Sequence, residues 1–390
     1  MQTVEAELGR RIREHVRVLV SEIGPRPPGS PANARANAHA QAVLERAGLN
    51  VERRPFGVTW WQPGQARLGL AGRVIELEGT PFSRPCDCRG RITRRSTDAE
   101  LYSSIEPASI VILDGELAAE PYFPKAFPFL DLPDQRGRLE KLEASRPAAV
   151  ILVAPDRRPM SWVEDGDLAF PYLVVDRSLG ALLVEGAMVD VTIEGRLLEG
   201  SGVNLSARTV ASGPRSVLCA HIDSKVTTPG AIDNAGGVAT LLAIAQSHRL
   251  DDRAIEFVAF NGEDHYAAPG EQAWLASTDL GSISDVVNLD GIGACDRQTA
   301  VSGLALAAGQ EQRLRALVAE HQALTNGPPW FESDHAIFAS RGIPSLALTS
   351  ADAHELAALL HGPEDTIERL DVDALAATAE FVIDWLQSAT

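Results

Sequence analysis

Ser216-Val217-Leu218-Cys219-Ala220-His221-Ile222-Asp223 is the stretch that decides the fold. Its apolar run has the length of a buried strand, and it ends in two polar residues that share one side of an extended backbone. Downstream, Pro229-Gly230-Ala231-Ile232-Asp233-Asn234-Ala235-Gly236-Gly237 has the Gly and Asn/Asp content of a loop, and a helix is expected over 234–248. A second apolar strand, over 255–260, runs into Asn261-Gly262-Glu263-Asp264. Strand, loop, helix and strand in this order make an α/β unit. Its His and carboxylates stand at the carboxyl ends of strands, where such folds place their sites.

Working outward, the alternation continues to the C-terminus. Strands are expected over 204–210, 285–289, 298–301 and 345–349, and helices over 270–278, 309–324, 334–341, 352–360 and 371–388. Upstream, Val4, Leu8, Ile12, Val16, Leu19 and Ile23 recur at helical spacing, predicting one helix over 2–23. The run 24–31, rich in Gly and Pro, must break it. A second helix over 32–47 and a strand over 50–56 follow. Between 58 and 199 the texture changes to short β-like runs with one helix over 134–144 and a Pro- and aromatic-rich loop over 121–128. This block contains no His, so it offers no imidazole to a metal. The expected fold is α/β: a mixed central sheet with helices on both faces, built from 1–57 and 200–390. A β-rich domain over 58–199 is inserted in it, expected to cover or shape the site.

Composition narrows the function classes. The chain has 390 residues and a net charge of -18, which argues against a nucleic-acid partner or an anionic membrane surface. No stretch has the apolar core of a signal peptide or the length of a membrane span, so a cytoplasmic protein is expected. Cys86 and Cys88 are too closely spaced for a zinc half-site, and Cys219 and Cys295 read as small core residues.

Three further polar clusters flank apolar segments: Asn288-Leu289-Asp290-Gly291 ends a strand, Glu332-Ser333-Asp334-His335 precedes an apolar helix, and His361-Gly362-Pro363-Glu364-Asp365-Thr366 follows one. Taken singly, each has a plain structural reading, because an Asp at a strand end commonly caps a helix or closes a turn. Their joint order points to a hydrolytic site for two divalent ions. Such a site needs His and carboxylate ligands, a bridging carboxylate and a base nearby. This donor set suits zinc, with cobalt or manganese as alternatives.

In that order the segments resemble the M28 family of zinc aminopeptidases, in which HxD, GAxDNxxG, an acidic pair, LDxxG and a late His-Pro-acidic motif recur. The Ile23-Gly24-Pro25-Arg26 segment is similar to the family's opening. The block over 58–199, through Ile110 to Gly115 and Pro171 to Gly180, resembles the protease-associated domain often inserted in these enzymes.

The resemblance implies an exopeptidase acting on peptides or small amides. It assigns His221 and Asp290 to one zinc, Asp264 and His361 to the other, and Asp233 to a bridge between them. Glu263 becomes the general base, Asp223 orients His221, and Asp365 or Thr366 orders the loop around His361. Asp334, His335 and Tyr266 would lie near the substrate. Two departures stand out. Asp264 takes a place where Glu is usual, and the Tyr that often stabilises the oxyanion shortly before the last His is not found. The alternatives are another amide reaction on the same scaffold (dipeptidase, acylamino-acid hydrolase or glutaminyl cyclase) or a binding protein on an inactive peptidase fold. Oligomeric state is not legible.

Overall fold

The computed structural model describes residues 2–125, 127–155 and 163–388; Ala126, within the loop expected over 121–128, lies outside them. The chain forms two compact units, one of Met1–Val58 with Gly200–Thr390 and one of Thr59–Glu199. Strands β1 (Asn50–Gln62), β2 (Gln65–Leu70), β3 (Arg73–Glu78), β4 (Cys86–Arg95), β5 (Ile110–Leu113), β6 (Ala149–Val153), β7 (Tyr172–Val175) and β8 (Met188–Ile193) come first in the chain. They are followed by β9 (Arg196–Arg208), β10 (Arg215–His221), β11 (Ile255–Phe260), β12 (Ile283–Leu289), β13 (Thr299–Leu304), β14 (Leu324–Asn326) and β15 (Ser345–Ser350).

The first unit is built on an eight-stranded sheet in the order β1-β9-β11-β10-β12-β15-β13-β14. The sheet is mixed. β10 pairs parallel with β11 and β12, and β12 with β15, whereas β9 and β13 join antiparallel. Because β10, β11, β12 and β15 run the same way, the residues after them emerge at one edge. Alternation along β10 sends Leu218 and Ala220 to one face and Val217 and Cys219 to the other. On the first face lie helices Gln2–Val16, Pro31–Arg46, Gly236–Gln246 and Val372–Gln387. On the second, Trp274 of helix Pro269–Ser277 and Phe338 pack edge-on to each other and to Phe260. Helices thus cover both faces, as the alternating pattern requires.

The second unit has a seven-stranded sheet in the order β3-β2-β8-β4-β5-β6-β7. β4 through β7 are parallel, and helix Pro133–Ser145 makes the crossover from β5 to β6. The expected β-rich block therefore has an α/β half as well.

Three expectations need correcting or refining. The N-terminal helix runs on to Ile23, but it is not α-helical throughout. After Val16 it widens over Arg17–Ile23 and ends where Gly24 N donates to Leu19 O, five residues back. Strand β4 escaped notice because Asp87, Arg89 and Arg91 break its apolar run, yet Gly90 and Ile92 alternate with them and are buried. Cys295 is exposed rather than core, whereas Cys219 is buried as expected.

Three of the helices meet at a pair of imidazoles. His15 and His39 share a hydrogen bond of 3.1 Å, and the other nitrogen of His15 reaches Gln246 Oε1 at 2.9 Å. Burial, followed by the adjacent His15, pushes His39 down to about 4. A His held below its ordinary value resists protonation in the folded state while the unfolded chain accepts the proton. This pair therefore contributes stability above about pH 6.5 that is lost as pH falls toward about 4. We expect the unfolding free energy of the wild type to fall more steeply over that window than that of His39→Gln. Denaturant titrations at stepped pH check this, and parallel curves would exclude the effect.

Candidate metal centre

Each polar group at the sheet edge is delivered by a different connection. His221 is the last residue of β10, and Glu263 and Asp264 follow β11. Asp290 follows β12, and His361 ends the helix Ala353–Leu360 that comes after β15. Asp233 lies in the tight segment Ala231–Ala235 ahead of helix Gly236–Gln246, with φ and ψ of -116° and 88°. Asn234 holds this segment down by donating to Leu289 O at 2.8 Å and accepting from Gly237 N at 3.1 Å. Gly237 must be glycine, since a Cβ there would lie 2.2 Å from Asn234 Oδ1 and 2.5 Å from Leu289 O.

The geometry converges on Asp233. Its Oδ1 stands 3.0 Å from His221 Nε2, and its Oδ2 stands 3.2 Å from His361 Nε2. His221 Nε2 is also 3.2 Å from Asp290 Oδ1, and His361 Nε2 is 3.7 Å from Asp264 Oδ1. Donors bound tetrahedrally to one zinc at about 2.0–2.1 Å sit about 3.3 Å apart, so both groups of donors fit an ion. His221, Asp233 and Asp264 also present donor atoms within 4.8 Å of one another. Asp264 Oδ2 is buried without a protein partner, as expected of a carboxylate with a cation still to serve.

The electrostatics describe the same demand. Burial alone would lower His221, yet Asp290, Asp223 and Asp233 override it and hold the imidazole well above its usual range. Burial would raise Asp233, but His221 and His361 hold it below the ordinary carboxylate range. Asp264 is pushed up to about 6, first by burial and then by the charge of Asp233. Glu263 stands well above its usual value for lack of solvent and for the nearby charges of Asp290 and Asp264. Its Oε2 lies 4.0 Å from His221 Nε2, and its side chain keeps 20% of its surface open.

Two other acids hold backbone. Asp223, expected to orient His221, faces its Nδ1 at 3.7 Å, beyond hydrogen-bond reach, and His221 Nδ1 has no hydrogen-bond partner. Asp223 instead accepts from Gly262 N at 2.8 Å and Asp264 N at 3.2 Å, fixing the loop that carries the acidic pair. Asp365, expected to order the loop around His361, accepts from Ile232 N at 2.8 Å and Asp233 N at 3.0 Å. It therefore sets the backbone of Asp233.

The expected substrate neighbours are placed differently. His335 is buried and both its nitrogens are engaged, with Asn288 Nδ2 at 3.3 Å and Trp330 O at 2.8 Å, which leaves none for a substrate. Asp334 is wholly buried with neither oxygen hydrogen-bonded. Burial raises it well above the carboxylate range, as it does the neighbouring buried Glu271. Tyr266 is buried and stacked on His265, with ring centroids 4.3 Å apart. Trp274 is part of the core, whereas Phe331 is exposed.

Sequence reasoning also passed over the group that ties the centre together. The fully buried guanidinium of Arg26 donates to Ile222 O at 2.8 Å, Pro229 O at 2.7 Å and Gly230 O at 2.9 Å. Those carbonyls lie on the loop between His221 and Asp233. Asn33 extends the clamp by donating to Arg26 O, and Asn33 and Asn261 exchange amide hydrogen bonds of 2.9 Å. The signal was present in the Gly24-Pro25-Arg26 segment, but nothing local reveals carbonyl acceptors some 200 residues away.

Comparison with known proteins brings relatives to this geometry. The family model described as "Peptidase family M28" matches residues 204–386. A zinc aminopeptidase from Bacillus subtilis has the same fold, with a TM-score of 0.77, 19% identity and coverage of 98% of this chain and 96% of that one. An aminopeptidase from Aneurinibacillus is similar at a TM-score of 0.73 and 19% identity, covering 99% and 96% of the two chains. Among curated proteins, a vacuolar membrane protease from Kluyveromyces lactis is 33% identical over 110 residues, which is 27% of this chain and 12% of that protein's length. No helix among the described residues is long and apolar enough to cross a membrane.

The Arg26 clamp yields a measurable expectation. Arg26→Met strands three buried carbonyls that now accept from a charged donor. We expect a loss of about 3–5 kcal/mol in unfolding free energy, read by urea denaturation. Arg26→Lys should recover only part of it, because an ammonium lacks the planar fork that reaches all three. A loss below about 1 kcal/mol would mean that the loop is held by other contacts.

Proposed function

We propose, on the premise that residues 204–386 carry a peptidase family M28 domain, that this metallopeptidase is an exopeptidase removing N-terminal residues from short peptides through a two-zinc site. The observation that carries the reading is the placement of the two Asp233 oxygens, each against a different imidazole. In this reading His221 and Asp290 would hold one zinc, His361 and Asp264 would hold the other, and Asp233 would be shared between them; cobalt or manganese would suit the same donors. The names of the fold relatives, two aminopeptidases, favour the N-terminal end of the substrate. A free α-ammonium would also find carboxylate neighbours here. The unit Thr59–Glu199 fits the inserted protease-associated-like module expected over 58–199, and its sequence contains no His.

Bound zinc would supply Lewis acidity, polarising the scissile carbonyl and making an attacking water more acidic. The protein's own residues do the rest. Glu263 takes a proton from the attacking water and hands it to the leaving amide nitrogen as the carbon–nitrogen bond breaks. Asp223 keeps Glu263 in place by holding Gly262 N and Asp264 N on either side of it. His335, with both nitrogens engaged, does not serve the oxyanion.

Glu263→Gln keeps the size of the side chain and removes the proton acceptor. We expect it to lower turnover of aminoacyl chromogenic amides by about 10²- to 10⁴-fold, with metal content and binding of a substrate analogue nearly intact. Asp233→Asn should instead lose metal. Wild-type turnover in Glu263→Gln on every substrate the enzyme cleaves would refute the assigned mechanism. Loss of metal in that variant would make Glu263 a ligand and exchange its role with that of Asp264.

A further inference from the structure

Beside the second cation position stands a residue that this reading does not use. Lys225 Nζ lies 3.5 Å from Asp264 Oδ1, the same oxygen that faces His361, and donates to Asp264 O at 3.4 Å. The ammonium therefore takes part of the charge on the one carboxylate that belongs to this position and not to the other. Its side chain is 18% exposed, against 4% for Asp264, so the flexible stem has a route toward solvent. Asp264 is also one methylene shorter than glutamate, so its carboxylate has less reach away from the ammonium.

Resting on the two-cation reading above, we propose that Lys225 is an internal competitor for the second cation. It neutralises Asp264 when that position is empty and must withdraw for the ion to bind, so the centre fills in sequence. The position between His221 and Asp290 loads first. The position between Asp264 and His361 loads only when metal is more plentiful, and its occupancy tracks metal supply. A like charge within about 4–6 Å typically disfavours a cation by tenfold to a thousandfold, which is ample to separate the two affinities. Among the described residues, Asp290 and His221, on the far side of Asp233, face no such ammonium.

Calorimetric titration of metal-stripped protein with zinc, checked by elemental analysis after dialysis, tests this without recourse to activity. For the wild type we expect two binding events, the second about 100-fold weaker or more. Lys225→Met should tighten the second event about tenfold or more and leave the first unchanged, whereas Lys225→Arg, which keeps the charge, should resemble the wild type. A second affinity that is unchanged or weaker in Lys225→Met overturns the proposal. So does the case in which Asp264→Glu alone tightens it, since the short carboxylate would then account for the difference. Absence of any zinc binding in wild type and variants alike would overturn the two-cation reading itself. Intact first-site binding in every variant separates the two failures and shows that the variants are folded.

Discussion

The constraint on which this structure depends is the crowding of carboxylates around two imidazoles at the edge of a sheet. Asp233, Asp264, Asp290 and Glu263 approach His221, which is buried, and His361, whose side chain is half exposed. Burial first, and then repulsion between like charges so placed, raises the proton affinities of Asp264 and Glu263. Divalent cations relieve that repulsion well, and the donor spacings of 3.0 to 3.7 Å are those that such ions would set. The fold thus holds, at some expense in stability, an arrangement that makes sense with metal in it.

What holds the arrangement is a division of labour among similar residues. Asp223 and Asp365 each accept two backbone N–H groups and so shape the loops that carry the acidic pair and Asp233. Asp264 keeps an oxygen without a protein partner. Cations divide in the same way. Arg26 is spent on three loop carbonyls, and its planar fork suits that work, while the flexible ammonium of Lys225 sits at the centre itself. Side chains of one chemical type thus do structural or site work according to what faces them.

Much of this was legible in the sequence, for definite reasons. The apolar runs ending in His221, Asp264 and Asp290 are strands, and parallel pairing brings their ends together, so the edge of the sheet could be read from pattern alone. What escaped is what depends on distant partners. The clamp of Arg26 needs carbonyls far along the chain. The engagement of His335 with Asn288 and Trp330 turns a candidate substrate neighbour into a loop fastener. Strand β4 hides behind charges because only one of its faces is buried. Proximity of Asp223 to His221 in sequence suggested an orienting bond, whereas the backbone N–H groups of Gly262 and Asp264 are the nearer partners.

The central claim is that Asp233 bridges two cations. X-ray absorption at the metal edge of protein loaded with excess zinc or cobalt tests it most directly, because it reports distances from the ion whether or not the enzyme turns over. The account predicts nitrogen and oxygen neighbours at about 2.0–2.2 Å together with a metal–metal vector at about 3.5–4 Å, and loss of that vector in Asp233→Asn. A first shell without any metal–metal vector at two equivalents of ion, or a vector that survives Asp233→Asn unchanged, would contradict it.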